Sequence, residues 1–79
     1  MTYRAMHRGK VTELNASNGA YVPKGYVIAR TMWTDERGKS VTGGTAAPIN
    51  APFNGIVQVF IEQNSMFDEN QPLFRIDPR

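Results

Sequence analysis

The chain lacks cysteine entirely and contains a single histidine, His7, among its 79 residues. Without cysteine there is neither a disulfide framework nor a thiolate zinc site, and one histidine cannot form a histidine metal cluster. The first twenty residues also lack an apolar stretch as long as a signal peptide or a membrane span. These absences predict no metal, no direct membrane insertion and a cytoplasmic location.

An excess of charge of one sign is also missing, because nine Lys and Arg residues face seven Asp and Glu residues, a net charge of +2. The one basic cluster, near the start, consists of Arg4, His7, Arg8 and Lys10. Nucleic-acid binding requires a denser basic stripe interleaved with exposed aromatic side chains. The cluster therefore indicates a mildly basic, solvated strand, and no nucleic-acid partner is expected.

Helical periodicity is absent as well, and seven Gly and five Pro residues interrupt the chain every few positions. This pattern predicts a nearly all-β fold, and the length predicts one domain over residues 1–79. Apolar runs bounded by turn residues predict strands at residues 9–15, 26–35, 40–50 (irregular near its glycines), 55–62 and 72–77.

Alternation within residues 55–62 places Val57, Val59 and Ile61 on one face, which predicts that they lie in the core. Six of the eight aromatic residues are interpreted as core and cross-strand packing. They are Tyr21, Tyr26, Phe53, Phe60, Phe67 and Phe74.

The charged segment "DERGKS" predicts a hairpin turn at Arg37–Lys39, with Gly38 at a positive φ. In "TGGT", Gly43 and Gly44 lack the lysine and the helix start of a phosphate-binding loop. A bulge or an irregular strand crossing is the interpretation of these two glycines.

An internal repeat relates residues 18–31 to residues 63–76, with matching positions 45 apart. Two of the matches replace glycine by asparagine, and these residue types adopt left-handed backbone most readily. The matches are Gly19 with Asn64 and Gly25 with Asn70. Upstream, "GKVTEL" from Gly9 is similar to "GIVQVF" from Gly55 at a spacing of 46, which implies a one-residue length difference between the copies. The pattern favours duplication over chance similarity.

The two copies, joined through a hairpin to "APFNGIV" and followed by "NQPLFRID", resemble the biotinyl and lipoyl attachment domain superfamily. The resemblance runs from about Gly9 to Asp77 and extends to the lipoyl-like segments of membrane-fusion adaptors in secretion and efflux systems. It implies a flattened barrel-sandwich hybrid of two small antiparallel sheets, with pseudo-twofold symmetry and one half per repeat.

In carrier members of this superfamily, a lysine on an exposed hairpin turn, within Met-Lys-Met or Asp-Lys-Ala, receives biotin or lipoate. The prosthetic group supplies the chemistry and the domain only positions it. Counting forward from the first repeat puts that lysine near Asp35, whereas counting backward from Ala51 and Pro52 puts it near Gly44. The disagreement of nine residues predicts an extended central hairpin, with its midpoint at Lys39 or Ser40.

Lys39 is thus the candidate cofactor-binding residue. Its setting, "RGKSV", has none of the usual flanking residues, and an exposed lysine in a turn also keeps a β edge soluble, so a solvated turn is the favoured interpretation. Lys10 and Lys24 are weaker candidates, on a strand and in a turn. Met32, Trp33 and Arg37 on the same hairpin are the candidate interaction residues, with Trp33 capping an open end of the core as the alternative.

No constellation of catalytic residues is apparent, because the carboxylates fall in turns or at strand ends without a partner histidine. The first hypothesis is therefore a non-enzymatic biotin/lipoyl-like domain that acts as an unmodified protein-interaction or assembly module. The alternative is a biotin or lipoate carrier, modified on Lys39, that serves a carboxylase or an acyl-transfer complex. A third hypothesis is a soluble relative of secretion adaptors, and exposed edge strands leave a homodimer open.

Overall fold

The computed structural model describes residues 1–79, which form eight strands and no helix. The strands are β1 (Thr2–Arg4), β2 (Gly9–Leu14), β3 (Tyr21–Val22), β4 (Val27–Trp33), β5 (Ala47–Asn50), β6 (Gly55–Val59), β7 (Met66–Phe67) and β8 (Pro72–Pro78). They form two four-stranded antiparallel sheets that do not close into a barrel, with orders β1-β8-β6-β3 and β5-β4-β2-β7. The predicted fold class, a flattened all-β arrangement of two sheets, is confirmed. No helix able to cross a bilayer is found.

The two sheets are built alike from the two halves of the chain. Strands β1 to β4 correspond in order to β5 to β8, and exchanging each strand for its counterpart converts the order β1-β8-β6-β3 into β5-β4-β2-β7. The burial patterns of the counterparts β4 and β8 are also the same. Because each sheet contains strands from both halves, the two copies interlock and do not form separate units.

Hydrogen bonds repeat between the halves with the predicted spacing. The backbone N–H of Gly19 donates to the carbonyl of Val57 at 2.7 Å, and that of Asn64 donates to the carbonyl of Val11 at 2.8 Å. The matched positions share left-handed backbone, with φ of 86° at Gly19 and 68° at Asn64. The second pair behaves in the same way, with φ of 88° at Gly25 and 67° at Asn70. Left-handed bends at the predicted positions are therefore confirmed.

The one-residue length difference between the copies lies at Thr12. Val11 pairs with Thr31 and Glu13 with Arg30, so Thr12 is an extra residue in β2, whereas the equivalent pairing of β6 with β8 is continuous. An extra residue of this kind is a β-bulge. The Thr12 hydroxyl donates to the carbonyl of Arg30 at 3.1 Å. Residues before the bulge therefore match the second copy at a spacing of 46, and residues after it at 45.

The space between the sheets is filled by fourteen buried apolar residues. Of the predicted core face, Val57 and Ile61 are buried and Val59 is half-buried against them. Phe67 and Phe74 are buried and Phe53 packs against the core, as expected.

A place in the core was the wrong interpretation for three aromatic residues, because Tyr21, Tyr26 and Phe60 have exposed fractions of 57%, 38% and 50%. The reason for Phe60 is the alternation itself: neighbouring side chains point to opposite faces, and those next to Phe60 point inward. Tyr21 likewise precedes the buried Val22.

The predicted strand over residues 40–50 is reduced to β5, Ala47–Asn50. Gly43 and Gly44 follow each other at φ of 71° and 86°, a left-handed conformation that ends strand pairing, so they form a turn and not a strand bulge. Three short strands, β1, β3 and β7, were not predicted, because two or three residues show no periodicity.

Candidate functional site

The candidate site is the central hairpin, defined as residues 34–46 between β4 and β5. Only one isolated bridge, Thr34 with Ser40, continues the pairing beyond β4, and the N–H of Val41 donates to the carbonyl of Trp33 at 3.0 Å. The connection is long, as predicted, but its length lies in two successive turns, at residues 35–39 and 41–44, and not in longer strands.

The first turn is closed by Asp35. Its Oδ1 accepts the backbone N–H groups of Arg37 and Lys39, each at 2.9 Å. The backbone of Asp35 also donates to the carbonyl of Lys39 at 2.8 Å and accepts from Gly38 at 3.0 Å. Gly38 has a φ of 81°, so the predicted turn and its glycine are confirmed. Asp35 therefore serves as the acceptor that orders the turn.

Lys39 lies at the end of this turn with its side chain exposed. Its backbone is anchored to Asp35, while its ammonium group takes part in none of the ion pairs or side-chain hydrogen bonds of the structure. The turn also lies beside β7, since a Cβ placed on Gly38 would be 3.9 Å from the Cε of Met66. Lys39 thus combines an ordered backbone with a side chain free to move.

The second turn is closed by Ser40, whose Oγ accepts the backbone N–H groups of Gly44 at 2.8 Å and Thr42 at 3.2 Å. The Thr42 hydroxyl in turn donates to the carbonyl of Thr45 at 3.0 Å. Gly44, one of the two positions where a carrier lysine was counted, is therefore part of a small hydrogen-bonded loop.

Trp33 stacks on His7 at the base of the central hairpin, with ring centroids 4.9 Å apart and an interplanar angle of 14°. Trp33 is 40% exposed and therefore presents aromatic surface to solvent, and it is not among the partly buried residues that pack against the core. His7 is fixed by its Nδ1, which lies 2.7 Å from the carbonyl of Arg8. Because a carbonyl only accepts, Nδ1 bears the hydrogen and donates it.

His7 entered the sequence interpretation only as part of a basic cluster, and its contact with Trp33 was missed. The two residues are far apart along the chain and share no motif. The pairing of Gly9 with Trp33 is what brings the segment before β2 to the end of β4. Predicting the contact would have required the register of these two strands.

A groove of about 190 Å³ lies between Trp33 and the second turn. It is lined by Thr31, Trp33, Thr42, Thr45 and Ala47. Small-molecule sites usually measure about 300 to 1,000 Å³, so this groove is smaller than most of them and is of the size of one side chain.

The predicted interaction residues do not share one face. Met32 and Trp33 are neighbours in β4 and point to opposite sides of the sheet. Met32 pairs with Lys10, which pairs with Met66, so these three side chains lie on one face, away from Trp33. Arg37 is exposed in the first turn.

Lys24, like Lys10, remains the weaker candidate for attachment. Its backbone N–H donates to Oδ1 of Asn54 at 2.7 Å in the turn before β4.

No group of three or more histidine, aspartate or glutamate side chains comes together as a set of metal ligands.

The fold and site together define a small all-β domain of two interlocked four-stranded sheets with one long, folded connection. Comparison of the chain with protein-family models and with curated proteins finds no match.

Proposed function

We propose that the chain is a non-enzymatic biotin/lipoyl-like domain that carries no prosthetic group and acts as a protein-interaction or assembly module. The supporting observation is the chemistry of the central hairpin at the two positions where a carrier lysine was counted. Asp35 closes the first turn through four hydrogen bonds, and Gly44 donates one hydrogen bond to the Oγ of Ser40, which closes the second. The residues at both positions hold the loop in shape and offer no nucleophilic amine.

The contact surface of this module is the base of the central hairpin, around Trp33 at the end of β4. A tryptophan held by stacking on His7 loses little conformational freedom on binding, and such rigid aromatic residues dominate the energy of many interfaces. The adjacent groove receives one apolar side chain of the partner. The partner is a protein of a carboxylase, acyl-transfer or secretion-type complex.

A second function, a biotin or lipoate carrier modified on Lys39, is favoured by one observation. Lys39 has an anchored backbone and an uncommitted, exposed ammonium group at a turn. Attachment there would place the group on a mobile side chain, so that it could move between active sites. This function competes with the first, which requires no modification.

Intact mass separates the two functions. The chain is coexpressed with a biotin ligase or a lipoate ligase, and we expect an unchanged mass for the wild type. Added cofactor mass that disappears in Lys39→Arg and persists in Lys24→Arg would establish the carrier and refute the proposed function. Lys24→Arg is the matched control because Lys24 is also an exposed turn lysine.

Partner capture tests the contact surface. Candidate subunits of the three classes of complex are expressed and presented to immobilised wild type, Trp33→Ala and Tyr21→Ala chains. Tyr21 is the control because it is an exposed aromatic residue on the other sheet. We expect binding that is lost only in Trp33→Ala. Binding that survives in Trp33→Ala, or no binding by the wild type, would contradict the proposed surface.

A further inference from the structure

The two halves of the chain provide corresponding edge strands, β1 in one sheet and β5 in the other. Directly after β5, the N–H of Ala51 donates inward to the carbonyl of Tyr26 at 2.8 Å. Backbone groups alternate along an antiparallel strand, so Ile49 also faces β4. The N and C=O groups of Pro48 and Asn50 therefore face away from the sheet.

The same pattern holds in β1. The N–H of Ala5 donates inward to the carbonyl of Gln71 at 2.9 Å, and Met1 exchanges two backbone hydrogen bonds with Ile76, at 2.8 and 2.9 Å. Tyr3 lies between them and faces β8, its partner in the register being Phe74. The backbone groups of Thr2 and Arg4 consequently face away from the sheet.

The two edges differ in their backbone donors at one matched position, where β5 has Pro48 and β1 has Thr2. Proline has no N–H, so the outward edge of β5 lacks a donor in its middle and cannot pair with another strand without leaving an acceptor unsatisfied. Proline on an edge is a known protection against unwanted strand pairing. The edge of β1 keeps its donors at both outward positions.

We propose that the β1 edge is a self-association surface on which a second copy of the chain adds its own β1 in antiparallel orientation. With the dyad at Tyr3, Thr2 of each copy lies opposite Arg4 of the other. Each of these two pairs exchanges two backbone hydrogen bonds, because all four residues present their N–H and C=O groups outward. The result is one continuous eight-stranded sheet.

The side chains suit this register and favour a second copy over an unrelated strand. Tyr3, which stacks on Phe74 at 5.2 Å, meets its own copy at the dyad, in the closer type of cross-strand pair. Each Arg4 faces a neutral threonine, so like charges are not opposed. The interface is short, so the dimer is in concentration-dependent equilibrium with the monomer.

Sedimentation of the 79-residue chain over a range of concentrations tests the proposal. We expect a dimer that is lost in Thr2→Pro and kept in Thr2→Ala. The Thr2 N–H faces outward, so proline at this position removes no hydrogen bond within the chain. A native circular dichroism spectrum of Thr2→Pro is the control that the variant folds. Pro48→Thr restores a donor to the β5 edge and should produce assemblies larger than a dimer.

A monomer at every concentration would overturn the proposal and leave the edge to an extended segment of another protein or to none. A dimer that persists in a folded Thr2→Pro chain would also overturn it, since the contact would then lie elsewhere. Unchanged association in Pro48→Thr would refute the role assigned to the proline.

Discussion

Thr34 presents the clearest energetic test of the structure. It is fully buried at the base of the central hairpin, and its Oγ1 has no hydrogen-bond partner. A buried polar group without a partner loses its hydrogen bonds to water on folding and gains none in return, at a cost of about 1 to 3 kcal/mol. The backbone N–H of Thr34, unlike the hydroxyl, has a hydrogen-bond partner, because it donates to the carbonyl of Arg8 at 3.2 Å.

Thr34→Val removes the hydroxyl while keeping the shape and the β-branched side chain that strands favour. We expect the free energy of unfolding to rise by about 1 kcal/mol or more. In a domain of this size each kcal/mol raises Tm by about 4 to 8 °C. Thermal unfolding followed by circular dichroism measures the shift, and the fluorescence of Trp33, the single tryptophan, provides a second probe.

Thr12→Val is the matched control, because the Thr12 hydroxyl does donate a hydrogen bond, to the carbonyl of Arg30. The same chemical change should there lower the free energy of unfolding by about 0.5 to 1.5 kcal/mol. The opposite signs at the two positions are the prediction. A lower Tm for Thr34→Val would mean that the hydroxyl has a partner, and the reasoning from its isolation would fail.

Three further substitutions test other parts of the structure. Gly55→Ala should lower the free energy of unfolding by about 1 to 3 kcal/mol in urea, since the new Cβ would collide with the carbonyl oxygen of Asp77, and an unchanged value would refute that close approach. Asn64→Gly should preserve Tm, whereas Asn64→Ala should cost about 1 to 2 kcal/mol at its φ of 68°; equal effects of the two would argue against the left-handed bend. His7→Ala should change the emission of Trp33 and increase its quenching by acrylamide, because one face of the indole loses its cover, and identical quenching would contradict the stack.

The duplicated framework was predictable from the sequence because it depends on local backbone chemistry. The left-handed bends at Gly19 and Asn64 follow from the two residue types that tolerate them, whatever the rest of the chain does. The exposure of Phe60 could also have been predicted, because the period of two places its side chain on the outer face of the strand. The general expectation that aromatic residues are buried gave the wrong answer there.

The details of the site were less predictable because they depend on contacts between distant residues. The stack of His7 on Trp33 follows from the register of β2 with β4, which a single sequence does not specify. The second turn depends on one hydroxyl, that of Ser40, which replaces strand pairing as the acceptor for the backbone of Gly44.

Interleaving of the two copies has a consequence for how the molecule forms. Both sheets contain strands from before and after the central hairpin. A fragment that ends at the hairpin therefore has only half of the strands of each sheet and cannot bury its apolar residues. Residues 1–44 and 45–79 made as separate peptides should each stay unfolded, and should regain the native spectrum when mixed. By the same argument, an ancestor of half this length, before the duplication, would have folded only as a dimer of identical chains.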